Sequence, residues 1–231
     1  QPLGLLPALD DAMMLPARPV VTCLHRSDPE HSGDAVAWLA DGVRRRIVTA
    51  AVSCARSTDA AYAPVLGDSR RHVVDNGIDL SRFRPSITRG DDPLRRELGI
   101  PDDAVVIAYA ARFDAMKDPE LFLRSVAAHR RAVPDAHYVM CGAGMTRDNP
   151  RLLEMLATVG DDHVHALGIR DDMPAIYRAA DVVALTSAFG EAAPLCLLEG
   201  AASGAVPVTT DVEDAARLVA GIGIVTPRDP D

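Results

Sequence analysis

From Val105 onward, short apolar runs alternate with longer amphipathic stretches. Apolar runs of this length predict buried strands, and the amphipathic stretches predict helices that cover them. The predicted strands are Val105–Ala110, His137–Cys141, His163–Leu167, Asp181–Thr186, Ala205–Thr209 and Ile222–Val225. The predicted helices lie near residues 118–132, 150–159, 171–180, 194–203 and 212–220. Strands and helices that alternate through short loops indicate an α/β fold with a parallel sheet covered on both faces.

The pattern before Val105 is less regular. It predicts a short apolar helix or loop over residues 1–18, a strand at Val20–Leu24, a helix over Asp34–Ala50, a short strand at Ala51–Cys54 and a helix that ends at Gly67. Asn76-Gly77 after an apolar run is a turn signal, and the residues from there to Pro93 are irregular and polar. We therefore place a domain boundary after residue 75, which divides the chain into residues 1–75 and 76–231.

Composition narrows the class of protein. The chain has 231 residues, of which 48% are hydrophobic and only 4% aromatic, which suits one large or two small globular domains. Its net charge of −9 argues against nonspecific binding to nucleic acid. No apolar run approaches the length that spans a bilayer, so we expect at most a peripheral association with a membrane.

The cysteines and the first residues bear on the cellular compartment. Cys23, Cys54, Cys141 and Cys196 lie far apart and mostly within apolar runs, which predicts small buried hydrophobic residues in a reducing cytosol. We expect the protein in the cytoplasm, either free or at the inner face of the membrane. Residues 1–9 lack the basic start of a signal peptide, and Gln1 suggests part of a longer chain.

The stretch from Thr186 to Gly204 reads TSAFGEAAPLCLLEGAASG and joins a strand end, a loop and a helix. Pro194 is predicted at the first helical position, and Gly204 is predicted to close the helix. The free amides and the dipole at a helix start attract an anion. The stretch therefore predicts an anion site.

Two glutamates, Glu191 and Glu199, frame this predicted site. Carboxylates repel phosphate groups but accept hydrogen bonds from sugar hydroxyls. The combination suits a nucleotide-diphosphate sugar, with amides for the pyrophosphate and one glutamate for each sugar. The alternative is that both are ordinary surface acids.

The whole motif resembles that of the retaining GT-B glycosyltransferases of family 4, which carry Glu-x7-Glu. The resemblance covers residues 20 to 226 and includes Asn76-Gly-Ile-Asp79, where the family's chain enters its second Rossmann-like domain. It implies that residues 1–75 are part of an acceptor-side Rossmann-like domain and that residues 76–231 form the nucleotide-sugar domain. It also implies that Glu199 binds the ribose hydroxyls and Glu191 the donor sugar. The implied donor loop comprises Gly190, Glu191, Ala192, Ala193, Pro194 and Leu195.

Two cations follow the predicted strand at Val105–Ala110, namely Arg112 and Lys117. Ligands of doubly wound folds collect beyond the carboxyl ends of the strands, and two cations there suit a pyrophosphate and its developing charge. Lys117 is the only lysine of the chain, although one lysine can also persist by chance. The pair resembles the family's phosphate-binding Arg-x4-Lys, with the acidic Asp114 standing between the two cations.

Two further strand ends resemble nucleotide contacts of the family. Cys141-Gly142-Ala-Gly144 resembles its Gly-x-Gly turn, where the backbone approaches the nucleotide, and a purely structural turn is the alternative. Ile169 and Arg170 match residues that hold the base largely through main-chain groups. The alternative there is a turn with a solvated Arg170.

Three histidines, His25, His163 and His165, were considered as candidate site residues. His25 ends an apolar strand, and family members often carry a histidine near the sugar in this context, although a structural histidine fits equally well. His163 and His165 would share one strand face, with no evident third ligand for a metal.

The resemblance implies transfer of a sugar from a nucleotide-diphosphate donor to an acceptor hydroxyl, with retained configuration and without a metal or cofactor. Glu191, His25, Arg112 and Lys117 are the implied catalytic residues. A UDP-sugar is favoured over GDP- and ADP-sugars, and the acceptor is a saccharide, a lipid-linked compound or a small molecule. The glycine-rich loop before His25 and the C-terminal crossing helix of the family are not visible, so we expect a chain truncated at both ends. A non-catalytic nucleotide-sugar-binding module, an inactive fragment and a GT-B sugar-nucleotide epimerase remain alternatives.

Overall fold

The structure is a computed structural model that describes residues 20–67, 69–85, 92–160 and 162–229. The predicted helix or loop over residues 1–18 lies outside the described residues. The contacts divide the chain into two compact units, Gln1–Gly77 with Gly190–Ala193, and Ile78–Phe189 with Pro194–Asp231. The boundary predicted after residue 75 lies near this division, while the functional identities given to the two domains stay predictions.

The first unit contains a three-stranded parallel sheet in the order β1-β2-β3. Its elements are β1 (Val20–Leu24), a 3-10 turn (Pro29–His31), α1 (Asp34–Arg44), β2 (Val48–Ser53), α2 (Arg56–Leu66) and β3 (Arg70–Val73). Leu39 of α1 and Tyr62 of α2 pack with Val48 and Ala51 of the central strand in one core. The helices therefore use their apolar stripes to bury the sheet, as the sequence pattern predicts.

The second unit contains a six-stranded parallel sheet in the order β6-β5-β4-β7-β8-β9. Its strands are β4 (Val106–Ala110), β5 (His137–Cys141), β6 (Val164–Ala166), β7 (Val182–Leu185), β8 (Val206–Thr210) and β9 (Ile224–Thr226). Its helices are α3 (Pro93–Leu98), α4 (Pro119–His129), α5 (Pro150–Val159), α6 (Met173–Ala179), α7 (Leu195–Ala202) and α8 (Glu213–Val219).

Both faces of this sheet are covered, and β4 shows how the residues alternate between them. Val106 and Ala108 pack in the core on the side of α3, α6, α7 and α8. Ile107 and Tyr109 pack on the opposite side, with α4 and α5. Continuous apolar strands are the consequence of this two-sided burial. The predicted parallel α/β architecture is confirmed.

The strand order reverses direction between β4 and β7. From β4 the chain proceeds through α4 to β5 on one side, whereas from β7 it proceeds through α7 to β8 on the other. The connecting helices leave toward opposite faces of the sheet, so a crevice opens at the carboxyl ends of these two strands. Such a switch point is where open α/β sheets bind ligands.

One predicted element before Val105 was wrong, and one helix was not predicted. The helix over Asp34–Ala50 ends at Arg44, because Arg46 adopts a left-handed φ of 57° and the β-branched residues that follow form β2. The helix that was not predicted is α3, which begins at Pro93, directly after the stretch that the sequence predicts to be irregular. Its signals are an Asp92 cap that accepts from the Leu94 and Arg95 amides, and a left-handed Gly99 at the end.

The elements after Val105 match the prediction within three residues at each end, and β5 and α5 match residue for residue. Among the described residues, no helix combines the length and the apolar character needed to cross a membrane.

Candidate functional site

The loops that follow β4 and β7 are joined at the switch point of the second unit. The Thr186 hydroxyl lies 3.2 Å from the carbonyl oxygen of Lys117 and 2.9 Å from that of Asp118. The Tyr109 hydroxyl donates to the same Lys117 carbonyl at 2.6 Å, and the Ala188 amide donates to Met116 at 2.8 Å. Both loops are therefore fixed beside the crevice, and the predicted cations stand on one of them.

Asp114 organises the loop that carries the two predicted cations. One of its carboxylate oxygens accepts from the Lys117 amide at 3.1 Å, and the other pairs with the Arg112 guanidinium at 3.0 Å. The Arg112 side chain is 62% exposed, so this is a surface ion pair that a stronger anion can displace. The acid between the two cations is thus a structural part of the loop and also a competitor for any phosphate.

Helix α7 follows the second loop, and its ends are set by Pro194 and Gly204. Pro194 has an extended ψ of 108° and caps the helix, so the prediction of Pro194 as the first helical residue was wrong by one position. Gly204 follows the helix at a φ of 98°, which confirms its predicted role. Glu199 lies half-buried within α7, and this burial raises the pKa of its carboxyl group.

Residues 190–193 are grouped with the first unit. Gly190 adopts a φ of 75°, which a side chain would disfavour, and Glu191 is only 4% exposed. The Asn76 side-chain amide donates to the Ala193 carbonyl at 3.3 Å. The sequence predicts Asn76 only as a turn residue. Its contact with Ala193 helps to hold the segment that contains Glu191, and no local sequence pattern predicts such a long-range contact.

The Gly142 turn has a structural explanation. Its φ is 132°, and a Cβ atom there would lie 2.1 Å from the Ala111 carbonyl oxygen. The Gly142 amide also donates to the Gly168 carbonyl at 2.7 Å. Glycine is therefore required because the ends of β4 and β5 approach closely, and a contact to a nucleotide stays a prediction.

Arg170 is held by two acids. Its guanidinium donates to Glu97 at 2.8 Å and to Asp172 at 2.7 Å, and these hydrogen bonds raise its pKa. Arg170 is therefore ion-paired at the surface, and a contact of this turn with a base stays a prediction. Ile169 beside it is 75% exposed, so the main chain of this turn remains accessible.

His25 is exposed just after β1, and its proposed role near the sugar stays a prediction. His163 and His165 both stack on His137, with ring centroids 4.3 Å and 5.2 Å away. His137 begins a predicted strand, but its stacking on the other two histidines was not predicted. The three rings are nearly parallel, and no group of three or more His, Cys, Asp or Glu side chains among the described residues is arranged to hold a metal ion.

Of the four cysteines, Cys54 and Cys141 are buried and Cys196 is half-buried, but Cys23 is exposed. The expectation of burial was wrong for Cys23. Within the part of the chain that the structure describes, it shares the exposed side of β1 with Val21, and β1 lies at the edge of the three-stranded sheet.

A sequence model described as glycosyl transferases group 1 matches residues 104–231. A D-inositol 3-phosphate glycosyltransferase of Salinispora arenicola is 37% identical over 157 residues, which cover 62% of this chain and 35% of that protein. A protein of the same name from Corynebacterium kroppenstedtii is 36% identical over 166 residues, covering 64% and 37% of the two chains. The chain thus spans about a third of the length of these curated relatives.

Among solved structures, Anabaena Alr3699/HepE in complex with UDP and glucose superposes with a TM-score of 0.78. The match has 23% sequence identity and covers 91% of this chain and 58% of that one. Sucrose-phosphate synthase from Thermosynechococcus elongatus superposes with a TM-score of 0.69 at 19% identity, covering 85% and 49%. At these identities the likeness establishes the fold, which is that of the GT-B glycosyltransferases.

Proposed function

Because the chain belongs to the glycosyl transferases group 1 family, we propose that it is the donor-binding part of a retaining GT-B glycosyltransferase of family 4. It would move a sugar, a hexose or a related one, from a nucleotide-diphosphate donor to an acceptor hydroxyl. The observation that carries the proposal is the pair of joined loops at the β4–β7 switch point. One loop bears Arg112 and Lys117, and the other leads toward α7 and Glu199.

The chemistry of the side chains supports a division of roles. Arg112 and Lys117 would neutralise the charge that develops on the departing diphosphate. Glu199 would accept hydrogen bonds from the ribose hydroxyls, and Glu191 would bind the donor sugar. Gly142, Ile169 and Arg170 would flank the base mainly through main-chain groups, and His25 would act near the sugar.

The reaction we propose proceeds on one face of the donor sugar. The bond between the sugar and the diphosphate breaks, and the leaving phosphate oxygen takes the proton of the attacking acceptor hydroxyl. The two cations would stabilise that oxygen as its charge grows. From the family resemblance we propose that neither a metal nor a cofactor takes part.

For the donor we favour a UDP-sugar, since the solved relatives include Anabaena HepE in complex with UDP-glucose. The acceptor remains a saccharide, a lipid-linked compound or a small molecule. We place the reaction in polysaccharide or glycoconjugate biosynthesis in the cytoplasm, either free or at the inner face of the membrane. The family match favours a transferase over a non-catalytic binding module and over an epimerase.

A thermal-shift titration with UDP, GDP and ADP tests the donor site. A ligand that binds only the folded chain stabilises it by about 2.7 kcal/mol at a hundredfold excess over its dissociation constant. We expect UDP to raise the unfolding midpoint most, Glu199→Ala to weaken the effect, and Glu154→Ala, at an exposed glutamate of α5, to preserve it. Absence of stabilisation by all three nucleotides, or equal responses of the two variants, would overturn the proposal.

A further inference from the structure

The main-chain carbonyls of Lys117 and Asp118 face hydroxyl groups from two neighbouring strands. The Tyr109 hydroxyl, from β4, donates to the Lys117 carbonyl at 2.6 Å. The Thr186 hydroxyl, directly after β7, donates to the Asp118 carbonyl at 2.9 Å and lies 3.2 Å from the Lys117 carbonyl. Tyr109 and Thr186 are both buried. We call residues 111–118 the cation loop, and its last two peptide groups are thus held by side chains from outside the loop.

Asp118 has a backbone conformation that needs such support. Its φ is 50°, in the left-handed region that residues other than glycine rarely adopt. Its carboxylate accepts the Leu121 amide at 3.0 Å, which caps α4, and also pairs with Arg228, which follows β9. A conformation of this kind persists only where its surroundings hold it, and it is common at ligand sites. The turn from the cation loop into α4 is therefore strained and held from several sides.

Further hydrogen bonds join the cation loop to the loop that leads toward α7. Thr186 begins this second loop, and the Ala188 amide donates to the Met116 carbonyl at 2.8 Å. The Thr210 hydroxyl, from β8, donates to the Ser187 carbonyl at 2.8 Å. Residues 186–188 are thus each bonded to a group outside their own loop. These bonds order both loops before any ligand is present.

We propose that Tyr109 and Thr186 are positioning residues that preorganise the cation loop for the diphosphate of the donor. This inference rests on the proposed function, in which Arg112 and Lys117 bind that diphosphate. A loop that is already ordered loses little conformational entropy on binding, so its phosphate contacts yield a higher affinity. Each of the two hydroxyl protons is donated to a main-chain carbonyl. Tyr109 and Thr186 therefore act through Lys117 and Asp118 and not on the nucleotide directly.

The first measurement is the contribution of the two phosphates to nucleotide binding. Calorimetry with UDP and with uridine, which lacks the phosphates, gives the ratio of the two affinities. A smaller fraction of folded protein lowers both affinities equally, so a purely structural defect leaves this ratio unchanged. We expect the ratio to fall roughly three- to tenfold in Tyr109→Phe and in Thr186→Val, because each variant loses a hydrogen bond that orders the loop.

Tyr138→Phe is the matched control for Tyr109→Phe. Tyr138 lies in the neighbouring strand β5 and is buried in the same core, but its hydroxyl bonds His129 at 2.8 Å. This variant loses the same hydroxyl group without a change at the cation loop, so the ratio should keep its wild-type value. Thr186→Ser retains the hydroxyl and should restore the ratio that Thr186→Val lowers. The two threonine variants give a result even if Tyr109→Phe does not fold.

The outcomes distinguish failure of the positioning role from failure of the proposed function. If UDP binds the wild type no more tightly than uridine, or Lys117→Ala leaves the ratio unchanged, the proposed diphosphate site is wrong and the positioning role is wrong with it. If that site is supported, a wild-type ratio in folded Tyr109→Phe or Thr186→Val overturns the positioning role. An equal decrease in Tyr138→Phe also overturns it. A lower ratio in both variants, restored by Thr186→Ser, supports it.

Discussion

The Asp181 carboxylate binds the buried Arg95 guanidinium at 3.3 Å and also accepts the Val106 amide at 2.9 Å. Arg95 comes from α3, Asp181 from the start of β7 and Val106 from β4. The same guanidinium donates to the carbonyls of Ala179 and Ala104, each at 2.9 Å. One buried arginine therefore ties a short helix to the two strands that border the switch point.

We expect Asp181→Ala to destabilise the second unit strongly. The substitution leaves a buried cation and a strand amide without their shared acceptor, a change that costs about 3–5 kcal/mol at buried ion pairs. Urea unfolding followed by circular dichroism measures the loss. Asp171→Ala, at an exposed position, should change stability by less than about 0.5 kcal/mol. Equal effects of the two variants would contradict this role of Asp181.

The Arg95 network explains which parts of the fold the sequence could predict. The alternation of strands and helices follows from the local periodicity of apolar residues, so the sequence predicted the elements after Val105. Helix α3 has only six residues and no repeating stripe, and Arg95 anchors it to the Ala179 carbonyl, 84 positions away, and to the nearby Ala104 carbonyl. The Asp92 cap and Gly99 are local signals, but they flank no repeating apolar stripe, and the bonds of Arg95 leave no local pattern, so the helix was missed.

Gly200 allows α7 to approach β7 closely. A Cβ atom at Gly200 would lie 2.5 Å from Val183 Cγ2, in the core of the second unit. We expect Gly200→Ala to destabilise by about 1–3 kcal/mol, although alanine is the better helix former, because overpacking outweighs propensity. Adding Val183→Ala should recover part of the loss, which a double-mutant cycle in urea measures. Purely additive effects would contradict the steric explanation.

The candidate site, like the fold, has parts that the sequence predicts and parts that it does not. Four of its residues belong to motifs that can be recognised in one sequence, namely Glu191, Glu199, Arg112 and Lys117. Asn76 acts through a contact made by folding, its hydrogen bond to the Ala193 carbonyl, whereas the sequence pattern indicated only a turn there. Asp114 is intermediate, because its place between two cations was visible but its bonds to Arg112 and the Lys117 amide were not.

Asp114 pairs with Arg112 and would compete with the phosphate of the proposed donor, which leads to a gain-of-affinity prediction. Asp114→Asn keeps an acceptor for the Lys117 amide and removes one negative charge beside the proposed diphosphate site. We expect UDP affinity to rise roughly two- to tenfold at low salt, with the gain shrinking as salt screens the charges. Asp103→Asn is the control, because Asp103 is exposed and precedes β4, at the end of the sheet opposite to Arg112. Calorimetry should show no rise in UDP affinity for this variant. Unchanged or weaker binding in Asp114→Asn would count against a phosphate at Arg112.

From the stacked histidines we predict that the second unit becomes less stable as the pH falls. The pKa of His137 is lowered from 6.5 to about 4, mainly by burial and in addition by the neighbouring His163, His165 and Arg95, against an opposing effect of Asp135. Below pH 6.5 the His137 side chain binds a proton in the unfolded chain but stays neutral in the folded chain until the pH approaches 4. The stability from His137 is therefore complete above pH 6.5 and is lost as the pH falls toward 4. Each such proton contributes a slope of about 1.4 kcal/mol per pH unit.

Replacing His137 with phenylalanine should flatten this slope. The aromatic ring can still stack, but it cannot titrate, so the pH dependence between 6.5 and 4 should be smaller even if the variant is less stable at every pH. The hydrogen bond of 2.9 Å to His165 is lost, which is why the comparison uses slopes and not absolute stabilities. Urea unfolding at several pH values measures them, with His72→Phe on β3 as the control. A slope in His137→Phe equal to that of the wild type would mean that other groups cause the acid sensitivity.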